Sequence, residues 1–400
     1  MIQIRALQRA DMEAYGELCR YAFSMTPETT SMYTDWVSRF IGRAWGAFEG
    51  GRLCAGLWYY PYEMRVGDRF IPMGGVAAVA TAPEDRNAGL AKMLMTRAHR
   101  AMRAEGRPLA VLNPFKSVFY ARMGYADTFF FLDCQMAPEQ IAARDARAFC
   151  LREVDGEREW QTLERLHEEC GARYFGTVRR DAPYWRVHYL AAREGMKRTY
   201  FVERGGQVLG FVITHLAKDG TLAKPTLTIV QAAWTETGVL DAILQFARSH
   251  RDQVQKIHWR LPIDVLLHDR MVDPQIEVAL KPKMMLKLVD LKRAWELRTY
   301  PSDLDGEVVL AVDGDDTSPW NSGQWRARWR GGRVRAQRLQ GRAQARGSVR
   351  VSVQTLALLY SGRASVQDLA ADGRLVAPPV AQALLERAFP LGTPYIHEWF

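Results

Sequence analysis

Residues 76–92 read VAAVATAPEDRNAGLAK, and Gly75–Thr81 at the head of this stretch carries small and β-branched residues without a charge. Such a run is the pattern of a buried strand. Pro83 ends it. From Leu90 onward, Leu90, Met93, Leu94, Ala98, Ala101 and Met102 recur at helical spacing, so the unit reads strand, glycine-containing turn, amphipathic helix. That order aims backbone N–H groups and the positive end of a helix dipole at one spot, the arrangement that holds a pyrophosphate. Gly89 permits close backbone approach and Arg86 adds a charged donor. Alone, the R-x-x-G-x-A pattern of Arg86–Ala91 marks no more than a helix start.

Working outward, the apolar run IQIRAL and a helix-like stretch from Asp11 to Phe23 come first, followed by a stretch with Trp36 and Phe40. Residues 45–60 then give two β-rich runs around Gly50-Gly51, a hairpin signature. Downstream, the apolar run Leu109–Leu112 leads into NPFKSVFYARMGYA. Strands mixed with helices predict an α/β or α+β domain. The middle of the chain repeats the plan: residues 200–216 place two strand-like runs around Gly205-Gly206, and the segment from Thr226 reads strand, loop, Gly238, amphipathic helix. The likeness, at the level of pattern, predicts a duplicated domain with a divergent second copy. From about Lys287 the composition shifts to short strands (306–312, 323–329, 332–339, 347–353) followed by helical patterns at 354–360, 366–371 and 379–389, a third, α+β, domain.

Composition bounds the function classes. At 400 residues, 48% hydrophobic and 25% charged, the chain is an ordinary globular protein with room for two to three domains, not a disordered or fibrous one. Its longest weakly polar run, Gly74–Ala82, is far shorter than the roughly 20 residues that cross a bilayer. Asp11, Glu13 and Glu17 precede any long apolar stretch, so no secretory signal is read and a cytoplasmic address is expected. Cys19, Cys54, Cys134, Cys150 and Cys170 are scattered and odd in number, which predicts free buried thiols. The eight histidines have no metal spacing, and no metal is expected. The net charge of +9 favours polyanions without naming one. The chain closes on TPYIHEWF, and Trp399 and Phe400 are expected to dock instead of fraying.

The Arg86–Ala91 loop and the later Phe119-Tyr120-Ala121-Arg122-Met123-Gly124-Tyr125 together resemble the GNAT acetyltransferases, whose signatures are an R/Q-x-x-G-x-G/A loop for acetyl-CoA and a following F-Y-x-x-x-G-F/Y segment. The chain length, the degenerate second copy, a sterol-carrier-protein-like third domain and an aromatic last residue are similar to the Eis family of aminoglycoside and lysine N-acetyltransferases. That resemblance implies a catalytic GNAT domain at 1–140, a degenerate GNAT-like domain at 141–286 and a sterol-carrier-like domain at 287–400 that ends in the catalytic C-terminus. It also implies acetyl-CoA as co-substrate, a small-molecule amine as acceptor, and a homo-oligomer, the family's hexamer.

Residue by residue, the resemblance implies that the backbone of Val79, Ala80 and Thr81 pairs with the pantetheine arm, as an added strand does. Arg86, Asn87, Ala88, Gly89, Leu90, Ala91 and Lys92 then hold the pyrophosphate, with Phe115 and Lys116 as further cofactor contacts. Where close relatives carry a basic run, this chain has Asp85-Arg86-Asn87-Ala88, so Arg86 bears more of the charge and Lys92 compensates. Tyr120 matches the general acid, and the Phe400 carboxylate matches the general base. The chemistry suits both: a departing thiolate, with a thiol pKa of about 8.5, takes a proton or hydrogen bond from a phenol, and an ionised carboxyl orients an ammonium group. No cysteine lies in either signature, so direct transfer is expected over an acetyl-enzyme. Trp36 matches an aromatic substrate contact. Glu28, Asp35, Phe40, Glu63 and Glu398 are further candidates for the wall of a polyamine site.

In the second copy the corresponding turn, Thr235-Glu236-Thr237-Gly238-Val239-Leu240, keeps a glycine but offers an acid and no arginine. Acetyl-CoA binding there is electrostatically disfavoured and the copy is expected to be inactive. The competing reading is a binding module: Arg326, Arg328, Arg330, Arg333, Arg335, Arg338, Arg342, Arg346 and Arg350 occur with no intervening acid, a density that suits nucleic acid or acidic lipid. Yet Trp325, Ala327 and Trp329 alternate with the first three, which is the pattern of a half-buried strand with arginines on its solvated face. The expectation is therefore no nucleic acid and no membrane partner.

Overall fold

The computed structural model describes residues 1–156, 158–190, 197–218, 224–340 and 348–400; Arg342 and Arg346 of the arginine run, and Gly347 of the strand expected at 347–353, lie outside the described residues. In chain order the first segment contains β1 (Gln3–Ala6), α1 (Met12–Phe23), α2 (Pro27–Ser38), β2 (Ala44–Glu49), β3 (Arg52–Val66), β4 (Arg69–Thr81), α3 (Leu90–Ala104), β5 (Leu109–Leu112), α4 (Ser117–Ala121) and β6 (Ala126–Met136). The middle contains β7 (Cys150–Glu153), α5 (Trp160–Cys170), β8 (Tyr174–Phe175), α6 (Ala182–Trp185), β9 (Lys197–Arg204), β10 (Gln207–Ala217), β11 (Thr226–Trp234), α7 (Thr237–Arg248), β12 (Lys256–Leu261) and β13 (Glu277–Leu288). The last third contains α8 (Leu291–Leu297), β14 (Gly306–Asp313), β15 (Gly323–Arg330), β16 (Arg333–Arg338), β17 (Val349–Ser352), α9 (Val353–Ser361), α10 (Val366–Ala371), β18 (Leu375–Val376), α11 (Pro379–Ala388) and β19 (Thr393–Pro394).

These elements gather into two compact units. One comprises Met1–Phe129, Lys283–Pro394 and Glu398–Phe400; the other comprises Phe130–Pro282 with Tyr395–His397. In the first unit, β1 to β4 run antiparallel in sequence order, β5 joins β4 in parallel, and Met285–Leu288 at the end of β13 pairs antiparallel with β5. The buried face of α3 (Leu90, Leu94, Met95, Ala98, Met102) fills one side of this sheet together with Val76, Leu112 and Tyr125; of the residues expected on that face Met93 is exposed and Ala101 half-buried, while Met95 joins it. The second unit repeats the plan with β9, β10, β11 and β12, and its last strand is Leu132–Met136 of β6, antiparallel to β12. Each sheet is thus finished by a strand from the sequence segment of the other copy. Both Gly-Gly pairs sit at the hairpin turns between β2 and β3 and between β9 and β10.

The first unit also holds a five-stranded sheet in the order β16-β15-β14-β17-β18. Trp325, Ala327 and Trp329 are buried in it while Arg326, Arg328 and Arg330 are exposed, which is the alternation read from the sequence. The Trp36 stretch, given no assignment from the sequence, is a helix, α2, capped by the Thr26 side chain, which accepts from the Thr29 N–H. One expectation is revised. Cys19, Cys54 and Cys134 are buried, but Cys150 is exposed and Cys170, on the wall of a cavity, is half-buried. Among the described residues no helix is long and apolar enough to cross a membrane.

Candidate active site

The site is set by where β4 and β5 part company. Their parallel pairing runs from Met73–Leu109 to Val76–Leu112 and stops there, because β5 ends. Beyond Val76, β4 continues to Thr81 with β3 alone beside it. A register shift between Gly56 and Trp58 places an extra residue on β4, and Ala78 adopts φ +45°, a left-handed conformation that alanine rarely takes. The Tyr15 hydroxyl donates to the Ala78 carbonyl at 2.9 Å and holds the bulge. The result is a strand edge, Ala77–Thr81, open to pairing with an amide-bearing chain. Val79, Ala80 and Thr81 lie on it.

At the end of that edge the turn delivers Asn87 (φ +67°) and Gly89 (φ +77°) to the start of α3, whose first turn has no side-chain cap. Its leading N–H groups therefore point outward unclaimed, as an anion site requires. Arg86, Asn87, Ala88 and Gly89 are exposed, Leu90 is buried and Ala91 half-buried; among the described residues Arg86 makes no ion pair. The two acids before it are both drawn aside. Arg52 binds Asp85 through two hydrogen bonds of 2.8 and 3.0 Å and Glu84 through one of 3.1 Å, and it holds the Asp85 carboxyl below its ordinary range. Lys92 is exposed but engaged, 2.9 Å from Asp316. Phe115 and Lys116 are exposed at the approach to α4. The open edge, the uncapped helix start and Arg86 fit the amide arm and the diphosphate of acetyl-CoA.

Tyr120, on α4, is 3% exposed and shares the core of Val76, Leu90 and Leu112. Phe115, Phe119 and Tyr125 surround its ring at 5.7, 5.1 and 6.1 Å. Among the described residues its hydroxyl takes no hydrogen-bond partner, and burial pushes the phenol above its ordinary value. The residues behind it brace it from the third segment. Gln354 Nε2 donates to the Ala121 carbonyl at 2.8 Å and Thr317 Oγ1 to the Met123 carbonyl at 2.9 Å. Lys287 and Asp315, both wholly buried, pair at 2.6 Å, and Tyr125 shares a 2.9 Å hydrogen bond with buried His99. Of these residues only Tyr125 belongs to either motif.

On the neighbouring residue of β4, Gly75, lies the C-terminal ring. A Cβ built at Gly75 would stand 2.9 Å from the Tyr62 ring and 3.0 Å from that of Phe400, so only glycine lets the ring settle. Phe400 is 5.4 Å from Tyr62 and 6.1 Å from Tyr60. Tyr60 stacks on Tyr62 at 4.8 Å, accepts a 2.5 Å hydrogen bond from Trp36 Nε1 and contacts Phe40 and Trp58. Trp58 in turn donates to the Tyr33 hydroxyl. Trp36, Phe40 and Phe400 thus enter one aromatic cluster, whose missed members Trp58, Tyr60 and Tyr62 were signalled by their i, i+2, i+4 spacing along WYYPY. Of the acids, Glu28 is exposed and hydrogen-bonds the start of its own helix, Asp35 and Glu63 are exposed, and Glu398 is fully buried.

Three segments of the chain match known families. Residues 3–127 match an acetyltransferase (GNAT) domain, residues 176–289 match a second acetyltransferase (GNAT) domain, and residues 291–397 match a sterol carrier protein domain. The two GNAT domains together span more than half of the chain, which belongs to the GNAT acetyltransferases and carries a sterol carrier domain after them. It is 26% identical over 425 aligned residues to an uncharacterized N-acetyltransferase of Streptomyces coelicolor, covering 97% of this chain and 96% of that one. Its fold matches a GCN5-related N-acetyltransferase from Anabaena variabilis, with a TM-score of 0.89 at 19% identity, and Eis1 from Mycobacterium abscessus, with a TM-score of 0.78 at 24% identity; each alignment covers both chains in full. A GNAT domain implies acetyl-CoA as the acetyl donor. Among the described residues no cluster of His, Cys, Asp or Glu suits a metal ion.

Proposed function

We propose that this GNAT acetyltransferase moves the acetyl group of acetyl-CoA directly to a primary amine of a small cationic acceptor, of the aminoglycoside or polyamine class, in the cytoplasm. The functional division is 1–140 for catalysis, 141–286 for an inactive second copy and 287–400 for the domain that ends in the base, in chains assembled as hexamers. The single observation that carries the reading is at the point where β4 leaves β5: Val76 belongs to the same buried core as Tyr120, and the Phe400 ring lies on its neighbour Gly75.

Acetyl-CoA supplies an acetyl thioester. Val79, Ala80 and Thr81 present backbone groups to its amide arm, and Arg86 with the start of α3, Asn87 to Lys92, meets the diphosphate. Lys92 reaches it by leaving Asp316, an exposed pair of little worth. Tyr120, kept protonated by burial, donates to the departing sulfur. The Phe400 carboxylate accepts a proton from the acceptor ammonium, directly or through water, and the rings of Trp36, Phe40 and Tyr60 favour a cation. The test is thiol release from acetyl-CoA across a panel running from monoamines to multi-amine aminoglycosides. Release with the cationic multi-amines is expected; release with monoamines alone would overturn the acceptor class, and silence across the panel would overturn the reaction.

A further inference from the structure

The second copy contains its own cleft. β11 pairs in parallel with β12 only from Thr226–Lys256 to Ile229–Trp259, and a register shift against β10 makes Val230 the extra residue just past that point. From there β11 runs on without β12, and Gln231–Thr235 line a cavity of about 330 Å³, at the lower end of the ~300–1,000 Å³ of small-molecule sites. Trp259, Leu261 and Pro262 form the facing wall, with Cys170–Tyr174 at the end of α5 on one side and Tyr395 and His397 on another. The deep polar groups are already engaged: Arg180 Nη1 donates to Gln231 Oε1 at 2.9 Å, Gln231 Nε2 donates to His167 Nδ1 at 3.1 Å, and His167 Nε2 donates to the Val178 carbonyl at 3.0 Å. This chain of bonds orients the side chains of the floor. The Cys170 thiol, pushed up to about 11 mainly by burial, stays protonated and is no nucleophile.

What this cleft lacks is as specific as what it keeps. Only Thr235–Thr237 separate Trp234 from Gly238, where Ala82–Ala88 separate Thr81 from Gly89, so there is no loop to wrap a diphosphate. Glu236 stands in the turn, bound by Arg204 at 2.6 and 3.1 Å. Two arginines line the cavity, each half-exposed and partly offset: Arg173, which donates to the Tyr174 hydroxyl and lies 3.6 Å from Asp264, and Arg260, 3.6 Å from Asp133. An open strand edge suits a chain of secondary amides, tryptophan and proline walls suit a short acyl or thiol end, and two arginines suit a single phosphate.

We infer that the cleft of the second copy binds a 4′-phosphopantetheine-type arm, an amide chain with one terminal phosphate and no nucleotide. The experiment uses the full chain with its first cleft saturated by acetyl-CoA, whose stoichiometry is measured beforehand. Calorimetric titration with 4′-phosphopantetheine is expected to show a further equivalent bound. Ala232→Phe, which fills the cavity, weakens it by about tenfold or more without changing acetyl-CoA stoichiometry. Arg173→Gln, which removes the charge at a half-exposed position and keeps a donor toward Tyr174, weakens 4′-phosphopantetheine but not pantetheine. A carrier protein bearing the same arm, titrated in parallel, distinguishes a carried arm from a free one. Absence of the further equivalent in the unaltered chain, or an equivalent that neither substitution moves, overturns the inference. Failure of acetyl-CoA to bind counts against the first cleft alone, since the second titration still reads its own site.

Discussion

The chain contains two clefts of one construction and unequal equipment. In each, a parallel pair of strands separates after four residues of pairing, a bulge follows, and a glycine stands at the start of the helix behind. In the first, the turn is long, carries Arg86 and has its acids withdrawn by Arg52; Tyr120 stands alongside, braced from the third segment. In the second, the turn is short, carries Glu236, and no tyrosine occurs between Pro262 and Met271. The parting of the strands is backbone geometry, written by where β5 and β12 stop. The side chains proposed for cofactor and chemistry are additions to it, and the second copy keeps the fold without an arginine in its turn.

The sharpest way to break this contrast is at the base. A few residues appended after Phe400 move the carboxylate away from Gly75 and should abolish turnover while leaving acetyl-CoA affinity intact; an extended chain that turns over normally sinks the assignment. Tyr120→Phe makes the first copy resemble the second in its acid and should lower kcat by ~10²–10⁴ with little change in the KM for acetyl-CoA. Since burial raises the phenol, the acid form persists, and kcat should rise with pH as the acceptor amine deprotonates, with no fall attributable to Tyr120 up to pH 9. Lys287→Met removes the brace from the first cleft and leaves Asp315 buried without its cation, for a loss of ~3–5 kcal/mol by chemical denaturation.

Smaller effects sharpen the comparison. Arg86→Glu gives the first turn the second copy's charge and should raise the KM for acetyl-CoA by about 10–100-fold, the worth of a charge-assisted hydrogen bond. His99 provides a pH signature: burial and Lys287 hold it well below its ordinary value, so it is neutral in the fold while the unfolded chain protonates. Below pH about 6.5 its contribution to stability should fall by up to ~1.4 kcal/mol per pH unit, a slope that His99→Gln should flatten in thermal melts at pH 5–7.

Much of this was legible because it is local. The Gly-Gly hairpins, the helical spacing after Gly89, the Arg/Trp alternation of β15 and the motif around Tyr120 each sit within one element and its turn. The sequence conceals whatever depends on pairing across distance. Ala78 gives no hint of a left-handed backbone, because the strain is imposed by the β3 register and Tyr15. Lys92 reads as a free cation until Asp316 is brought beside it from the third segment. The aromatic cluster needs α2, β3 and the last residue together, and its spacing on β3 alone reads as an ordinary buried face.

The exchange of closing strands has a consequence for how the protein is made. Leu109–Leu112 leaves the ribosome long before Met285–Leu288, and at ~5–20 residues per second the interval is on the order of ten seconds or more. Through that interval the nascent first sheet exposes a bare strand edge, of the kind that seeds misassociation. Synthesis of the intervening copy is therefore also a delay, and removing that copy from the gene would do more than delete a domain: it would alter when, and with what, the first sheet is closed.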